Sequence, residues 1–210
     1  MWCSKSSPRN PRNEELTDID VEDSFMTVRR SHTLPEVVIV EPQIFRDQRG
    51  FFLETYRENT YREWGIPERF VQDNYSHSLK GVLRGLHYQL GEPQGKLVWA
   101  AQGVIFDVAV DIRKGSPTYG RWEGVLLTSD NQKQLYIPPG FAHGFCVTSE
   151  CAVVMYKCTK YYAPKEERGV RWNDPKLAIE WPIRDPIMSE KDKMLPVLDN
   201  ALEEDLPTYA

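Results

Sequence analysis

The stretch "GVLRGLHYQ", residues 81–89, combines the alternating apolar residues of a β-strand with side chains that a core strand seldom carries. Arg84 and His87 stand three positions apart, and Gly85 between them has no side chain to pack. An arginine can hold an anion, and a histidine can exchange protons near neutral pH. These residue types make Arg84 and His87 candidates for the lining of a ligand cavity.

Each of the other candidates has a polar side chain and lies within or beside an apolar strand. They are His143 in "PPGFAHGF", Lys96 after "EPQG", Tyr156 and Lys157 in a late strand, and Arg49 and Glu54 around "GFFL". Each of them also has a structural interpretation. A strand histidine usually bonds to its neighbours, a strand tyrosine packs in the core with a bonded hydroxyl, and an edge lysine extends into solvent. Residue type alone leaves both interpretations open.

The elements that must position these residues are predicted to be strands. From Val37 onward the chain consists of about ten short segments rich in β-branched and aromatic residues, each bounded by turn-forming residues. Most of them follow one another without a helix, which argues against βαβ units and for an antiparallel sandwich or barrel. A barrel of this size often holds one ligand in its mouth.

One strand has a clear alternation and two short helices have recognisable signals. In "VIFDVAVDI" the pattern places Ile105, Asp107, Ala109 and Asp111 on one face and the intervening valines and Phe106 on the other. "RENTYREWG" predicts a helix that ends near Gly65. "MSEKDKM" predicts a helical turn with Ser189 as its N-cap.

Composition limits the classes of partner. The 210 residues carry 26 basic and 31 acidic side chains, a net charge of −5, so nucleic acid and anionic membranes are not attracted in general and an anionic ligand needs a local basic cluster. Residues 1–26 are polar and predict a flexible extension, followed by a single domain over residues 27–210. The lack of an apolar leader and of a C-x-x-C pair among the four cysteines predicts a cytoplasmic protein with unpaired thiols.

A metal site is the first specific alternative. The cupin superfamily carries one metal motif that resembles G-x5-H-x-H with a later glutamate, and a second that resembles P-x-G-x2-H. Gly81 and His87 fit the first, but Gln89 stands at the second histidine, and Pro93 or Gln94 stands at the glutamate. The second motif is matched by Pro138, Gly140 and His143. With two of four ligands missing, we interpret the domain as a cupin barrel that has kept its cavity and lost its metal.

A series of motifs follows in order from roughly Val37 to Asp192: "RGFFLETY", "FVQDN", "GVLRGLHYQ", "PQGKLV", "FDVAVDIRKGSPTYG", "IPPGFAHGF", "YKCTKYY" and "SEKD". Together they resemble the dTDP-4-dehydrorhamnose 3,5-epimerases. The resemblance implies an all-β, cupin-type jelly-roll barrel or sandwich of antiparallel strands with a few short helices. It also implies a homodimer with exchanged strands and a dTDP-sugar substrate.

The implied reaction converts dTDP-4-dehydro-6-deoxy-D-glucose into dTDP-4-dehydro-L-rhamnose by removing protons next to the 4-keto group, without a metal or other cofactor. Such chemistry needs a base, a group that stabilises the enolate oxygen, and an acid on the opposite face of the ring. The family pattern implies that His87 is the base, paired with Asp192, that Lys96 stabilises the enolate and that Tyr156 is the acid. It assigns substrate binding to Arg49, Glu54, Gln72, Asn74, Arg84, His143, Glu167 and Lys191.

Two questions stay open at this level. Residues three apart in a regular strand point to opposite faces, so either Gly85 marks a bulge that turns Arg84 inward, or Arg84 reaches the ligand from the rim. The missing Cβ of Gly85 is also expected to give a sugar ring room to approach. The competing functions are a mono-epimerase of another deoxysugar nucleotide, a metal-dependent cupin oxygenase, and a sugar-nucleotide binding module without catalysis.

Overall fold

The computed structural model describes residues 27–209, and the extension predicted for residues 1–26 lies outside them. The described chain is built almost entirely from strands, as the all-β prediction requires. They are β1 (Thr27–Arg30), β2 (Val38–Glu41), β3 (Phe45–Asp47), β4 (Gly50–Phe52), β5 (Gln72–Leu79), β6 (Leu83–Gln89), β7 (Lys96–Gln102), β8 (Val104–Asp111), β9 (Trp122–Thr128), β10 (Gln134–Ile137), β11 (Phe141–Val147), β12 (Cys151–Cys158) and β13 (Glu167–Gly169).

Two antiparallel sheets face each other in a jelly-roll sandwich. The six-stranded sheet has the order β1-β2-β10-β7-β12-β5, and the five-stranded sheet has the order β13-β6-β11-β8-β9. Strands β3 and β4 form a separate hairpin. The large apolar cluster between the sheets draws Val98 and Val154 from the first sheet and Ile105 and Phe145 from the second.

Both helices predicted from the sequence are present. Helix α1 spans Glu58–Glu63, two residues before Gly65. Helix α2 spans Glu190–Lys193, and the Ser189 hydroxyl accepts a hydrogen bond from the Asp192 amide at 3.1 Å, as an N-cap does. Two short 3₁₀ helices follow at Leu198–Asn200 and Glu203–Asp205. No helix within residues 27–209 has the length and apolarity to cross a membrane.

The alternation predicted for β8 is confirmed, and it shows how the sandwich is covered. Ile105 and Ala109 join the cluster between the sheets, whereas Val108 and Val110 point to the opposite face. That outer face is covered by the segment after β13, which contributes apolar residues such as Leu177, Leu198 and Leu206. The burial of these residues fixes the path of this segment. The same segment contains α2 and places it beside β6.

A β-bulge in β6 settles where Arg84 points. His87 pairs with His143 of β11, but Arg84 pairs with Phe145, so three steps along β6 match two steps along β11. The extra residue in β6 coincides with Gly85, whose φ of +119° is a conformation that glycine tolerates far better than other residues. Arg84 and His87 therefore line the same cavity although they are three positions apart.

The expectation that Gly85 makes room for a sugar ring is wrong. A Cβ built on Gly85 would lie 2.6 Å from the Gly144 Cα and 2.7 Å from the His143 carbonyl oxygen. The missing side chain thus lets the backbones of β6 and β11 approach each other, and it does not open the cavity.

Gly85→Ala should therefore destabilise the fold severely, because backbone atoms cannot yield to the new methyl group. Overpacking of about 1–3 kcal/mol and backbone strain of about 1–3 kcal/mol together predict a loss of roughly 2–6 kcal/mol in the free energy of unfolding. Gly81→Ala is the matched control: Gly81 has a φ of +80°, but nothing lies within 4 Å of a Cβ built there. It should cost only about 1–2 kcal/mol. Urea denaturation measures both, and equal losses would contradict the close-approach argument.

Candidate active site

A cavity of about 670 Å³ opens between the two sheets. Strands β5, β7 and β12 line it from the six-stranded sheet, strands β6, β11 and β13 line it from the five-stranded sheet, and residues 187–192 close one side. The structure brings together all but two of the residues singled out from the family resemblance: His87, Asp192, Lys96, Tyr156, Gln72, Asn74, Arg84, His143, Glu167 and Lys191.

His87 and Asp192 form a hydrogen-bonded pair. The Nε2 atom of His87 lies 2.8 Å from Asp192 Oδ1, and the Gly85 amide donates to Asp192 Oδ2 at 3.2 Å. Burial of the Asp192 carboxyl raises its pKa, but the bonds from His87 and Gly85 and the contact with Ser189 outweigh burial, so the pKa lies below its ordinary value. Because Nε2 of His87 is hydrogen-bonded to this carboxylate, Nδ1 is the nitrogen that can accept a proton from a ligand.

A second histidine–carboxylate pair lies on β11 and β8. Both carboxylate oxygens of Asp107 lie 3.0 Å from His143 Nε2, and both residues are buried. Burial lowers the pKa of His143, and Asp107 only partly opposes this. The sequence interpretation did not assign Asp107 to the site. The signal was available, because the alternation of β8 placed this carboxylate on the inward face of a core strand.

Lys96 opens β7 and contributes an ammonium group to the cavity. Within the described part of the chain, this group has neither a hydrogen-bond nor an ion-pair partner. Burial lowers the pKa of Lys96, while Cys158, Asp107 and Glu167 partly offset the effect. A half-buried ammonium without a partner among the described residues can interact with an oxygen of a bound ligand.

Tyr156 lies on β12 and packs its ring against the core between the sheets. Burial is the main cause that raises the pKa of its phenol, and Arg84 acts in the opposite direction. Among residues 27–209 no group forms a hydrogen bond with the Tyr156 hydroxyl. This finding disfavours the purely structural interpretation, which predicted a bonded hydroxyl.

Several charged side chains line the solvent-exposed mouth of the cavity. The Glu167 carboxylate accepts hydrogen bonds from Lys191 Nζ and from the Tyr162 hydroxyl, both at 2.5 Å. Burial raises the pKa of Glu167, but these two bonds bring it below its ordinary value. Arg84 donates through Nε to the Ser78 hydroxyl at 3.0 Å, which leaves the end of its guanidinium for a ligand.

Three of the candidates lie elsewhere in this chain. Arg49 pairs with Asp47 in the exposed β3–β4 hairpin, with Nη2 2.5 Å from Oδ2. Glu54 pairs with Arg57 at 2.6 Å, also outside the cavity. Lys157 points away from the cavity and forms an ion pair with an aspartate of β5.

The residues at the positions of the cupin metal motifs make hydrogen bonds within the chain. His87 and His143 are each bonded to a carboxylate, and the Gln89 side chain bonds to the backbone of two loops. Within residues 27–209, no group of three or more His, Cys, Asp and Glu side chains is placed to hold a metal ion.

Comparisons with known proteins agree with one another. A family model described as dTDP-4-dehydrorhamnose 3,5-epimerase matches residues 31–200. The enzyme of that name from Salmonella typhimurium is 55% identical over 172 residues, which cover 80% of this chain and 94% of the relative. A crystal structure of the Legionella pneumophila 3,5-epimerase in complex with dTDP-4-keto-L-rhamnose has a TM-score of 0.85 and 50% identity, covering 88% of this chain and 99% of its own. A dTDP-4-dehydrorhamnose 3-epimerase from Streptomyces niveus is 41% identical, covering 81% of this chain and 84% of the relative.

Asp192→Asn tests the charge of the histidine–carboxylate pair. Because folding lowers the pKa of Asp192, its charged form stabilises the fold above the ordinary Asp pKa of about 4, and this contribution is lost as the pH falls through the lower, folded-state pKa. We expect the wild type to be more stable than the variant by about 1–3 kcal/mol at pH 7, with a difference that shrinks below about pH 4.

Urea denaturation between neutral pH and about pH 3 measures this difference. Asp130→Asn is the control, since Asp130 is an exposed turn residue. A stability difference for Asp192→Asn that does not change with pH would show that the charge of Asp192 is not involved.

Proposed function

Because the chain belongs to the dTDP-4-dehydrorhamnose 3,5-epimerase family, we propose that it inverts C3 and C5 of dTDP-4-dehydro-6-deoxy-D-glucose to give dTDP-4-dehydro-L-rhamnose. The observation that carries this proposal is a single cavity that contains the His87–Asp192 pair, the Lys96 ammonium and the Tyr156 phenol, the last two without a hydrogen-bond partner among residues 27–209. These are the base, the oxyanion stabiliser and the acid that the reaction needs.

Proton removal begins the reaction. Hydrogens on C3 and C5 are mildly acidic because both carbons flank the C4 ketone, and loss of either proton gives an enolate. His87 takes the proton through Nδ1, because its Nε2 is bonded to Asp192. The carboxylate of Asp192 fixes the orientation of the ring and stabilises the imidazolium that forms.

Lys96 stabilises the charge that develops on the C4 oxygen. A partly desolvated ammonium interacts more strongly with an oxyanion than an exposed one, since water screens it less. C3 and C5 share the same carbonyl neighbour, so one ammonium serves both proton removals. The steps move only protons, and the proposed mechanism therefore requires no redox cofactor and no metal.

Inversion requires that the new proton arrives from the face opposite the base. His87 lies on β6 of the five-stranded sheet, and Tyr156 lies on β12 of the six-stranded sheet. The two side chains therefore approach the cavity from opposite walls. Burial keeps the Tyr156 phenol protonated by raising its pKa, so its hydroxyl can deliver a proton to the enolate.

The diphosphate and nucleoside are bound toward the mouth of the cavity. The net charge of the chain is −5, so the anionic substrate depends on local cations. Arg84 presents the free end of its guanidinium there, and Lys191 adds a second cation. Gln72 and Asn74 on β5 supply polar groups on the facing wall.

We further propose that the protein is a homodimer in which the β3–β4 hairpin reaches the cavity of the partner. Arg49 and Glu54 match the family's substrate-binding pattern but lie outside the cavity of their own chain. The hairpin exposes apolar rings, including Phe52 at 68% of its surface. Strand β5 is an edge of the six-stranded sheet and exposes Tyr75 and Leu79, a surface that a second chain can cover.

Proton NMR in deuterated water tests the function directly. Purified protein and dTDP-4-dehydro-6-deoxy-D-glucose should give deuterium at both C3 and C5, and a rhamnose-pathway reductase added to the mixture should then consume its reduced nicotinamide cofactor. Exchange at one carbon only would identify a mono-epimerase. Binding of the nucleotide sugar without any exchange would identify a binding module.

His87→Asn should abolish turnover while dTDP binding stays near the wild-type value. The variant removes the base but leaves the cations at the mouth, and loss of a general base costs roughly 10²–10⁴-fold in rate. His32→Asn is the matched control, because His32 is exposed in the loop before β2. The NMR assay and calorimetric titration with dTDP provide the two measurements. If His87→Asn kept more than about a tenth of the activity, the base would have to be another group.

Tyr156→Phe keeps the ring and removes the proton donor on the opposite wall. His87 can still remove a proton, so exchange with solvent should partly survive. Inversion should fall much further, because the enolate is then reprotonated from the side of the base. Deuterium incorporation and stereochemistry, measured on the same sample, separate the two. Tyr161→Phe serves as the control, since that ring is exposed. Equal losses of exchange and inversion would make Tyr156 a positioning residue.

Mixing two inactive variants tests the homodimer. If Arg49 acts in the partner's cavity, Arg49→Ala and His87→Asn are defective alone, but a heterodimer has one site with both residues intact. After random exchange of subunits, half of the dimers are mixed and each has one intact site of two, so about a quarter of the wild-type activity should return. Light scattering should give twice the chain mass of 24.4 kDa. A monomeric mass, or no recovery after confirmed subunit exchange, would refute the shared site.

A further inference from the structure

The backbone of residues 160–163 is held by glutamine side chains. This segment follows β12, and its residues belong to no helix or strand. Gln94 Nε2 donates to the Lys160 carbonyl oxygen at 2.8 Å, and Gln72 Oε1 accepts from the Tyr162 amide at 2.9 Å. Gln89 holds the backbone on both sides of Tyr162, and all three glutamines line the cavity.

Gln89 makes most of these contacts. Its Nε2 atom donates to the Glu92 carbonyl oxygen at 2.6 Å and to the Tyr161 carbonyl oxygen at 3.2 Å, and its Oε1 atom accepts from the Ala163 amide at 2.8 Å. Both donor hydrogens are therefore used within the chain. Gln89 is only 4% exposed, and its side chain connects the loop before Lys96 to the segment after β12.

The held segment carries Tyr162 to the mouth of the cavity. The Tyr162 hydroxyl donates to Glu167, which also accepts from Lys191. Residues without regular secondary structure keep a fixed position only where their backbone groups find partners. The hydrogen bonds from the glutamines supply such partners for successive residues, so they fix the place of the Tyr162 ring relative to Glu167.

We propose that Gln89 is a positioning residue for substrate binding, acting with Gln94 and Gln72 to hold Tyr162 and Glu167 at the nucleotide end of the cavity. The inference rests on the proposed function, because it takes the mouth of the cavity as the place of the nucleotide. Gln89 acts through the segment and makes no contact with the reacting carbons. Its removal should therefore weaken binding of the nucleotide and leave proton transfer at saturating substrate nearly intact.

Gln89→Leu tests the proposal, since leucine fills a similar space and makes none of the hydrogen bonds. We expect KM and the dTDP dissociation constant to rise at least about tenfold, with kcat within about threefold of the wild type. Hydrogen exchange should become faster at the Tyr162 and Ala163 amides, which the glutamine oxygens hold. Gln94→Leu, at a less buried position, should change the same quantities less, and it keeps the test decisive if Gln89→Leu does not fold.

Gln102→Leu is the matched control at the far, exposed end of β7, and it should leave all these quantities unchanged. Faster amide exchange in Gln89→Leu and Gln94→Leu with unchanged dTDP affinity would overturn the positioning role. A fall in kcat with unchanged KM would overturn it too, because Gln89 would then act on the reacting groups. Failure of the proposed function would appear in the wild type, as absence of dTDP binding and turnover, whereas failure of this inference appears only in the variants.

Discussion

The cavity depends on the close approach of β6 and β11 at Gly85. With no side chain at this position, the two backbones come near enough for β6 to take an extra residue, and the bulge turns Arg84 to the same side as His87. The Gly85 amide then donates to Asp192, so the same backbone distortion also anchors the carboxylate that bonds to His87. The cation proposed to bind the substrate and the proposed base thus come from one short strand.

Burial and pairing divide the charged groups of the cavity into two kinds. His87 and His143 are each bonded to a carboxylate, which fixes the imidazole rings and compensates by hydrogen bonding for the burial of the carboxylate oxygens. Lys96 is not compensated in this way in the described chain, and its pKa is lowered as a result of burial. The compensated groups can hold their geometry throughout a reaction, whereas the free ammonium gains its partner only when a ligand oxygen arrives. In the proposed reaction, such an arrangement would favour the charged enolate over the neutral ketone.

Local patterns in the sequence were sufficient for much of the fold but only for part of the site. The alternation of β8 and the N-cap at Ser189 depend on near neighbours in the chain, and both were predicted correctly. The pairing of His87 with Asp192 joins positions more than a hundred residues apart, so only the family resemblance suggested it. The bulge at Gly85 was one of two alternatives, because strand geometry alone does not say which residue is extra.

The residues at the cupin metal-motif positions make other contacts in this chain, and these contacts are compatible with the proposed chemistry. Gln89 stands where the motif has its second histidine, and here it holds the segment that carries Tyr162. A neutral imidazole has one donor and one acceptor nitrogen, so a histidine at this position could not donate to two carbonyl oxygens and also accept from an amide, as Gln89 does. A metal would serve the reaction mainly by stabilising an oxyanion, and Lys96 offers a positive charge for that purpose on the facing sheet. If the Lys96 ammonium stabilises the enolate as proposed, the residues at the motif positions can orient the proposed base and hold the loops around the substrate.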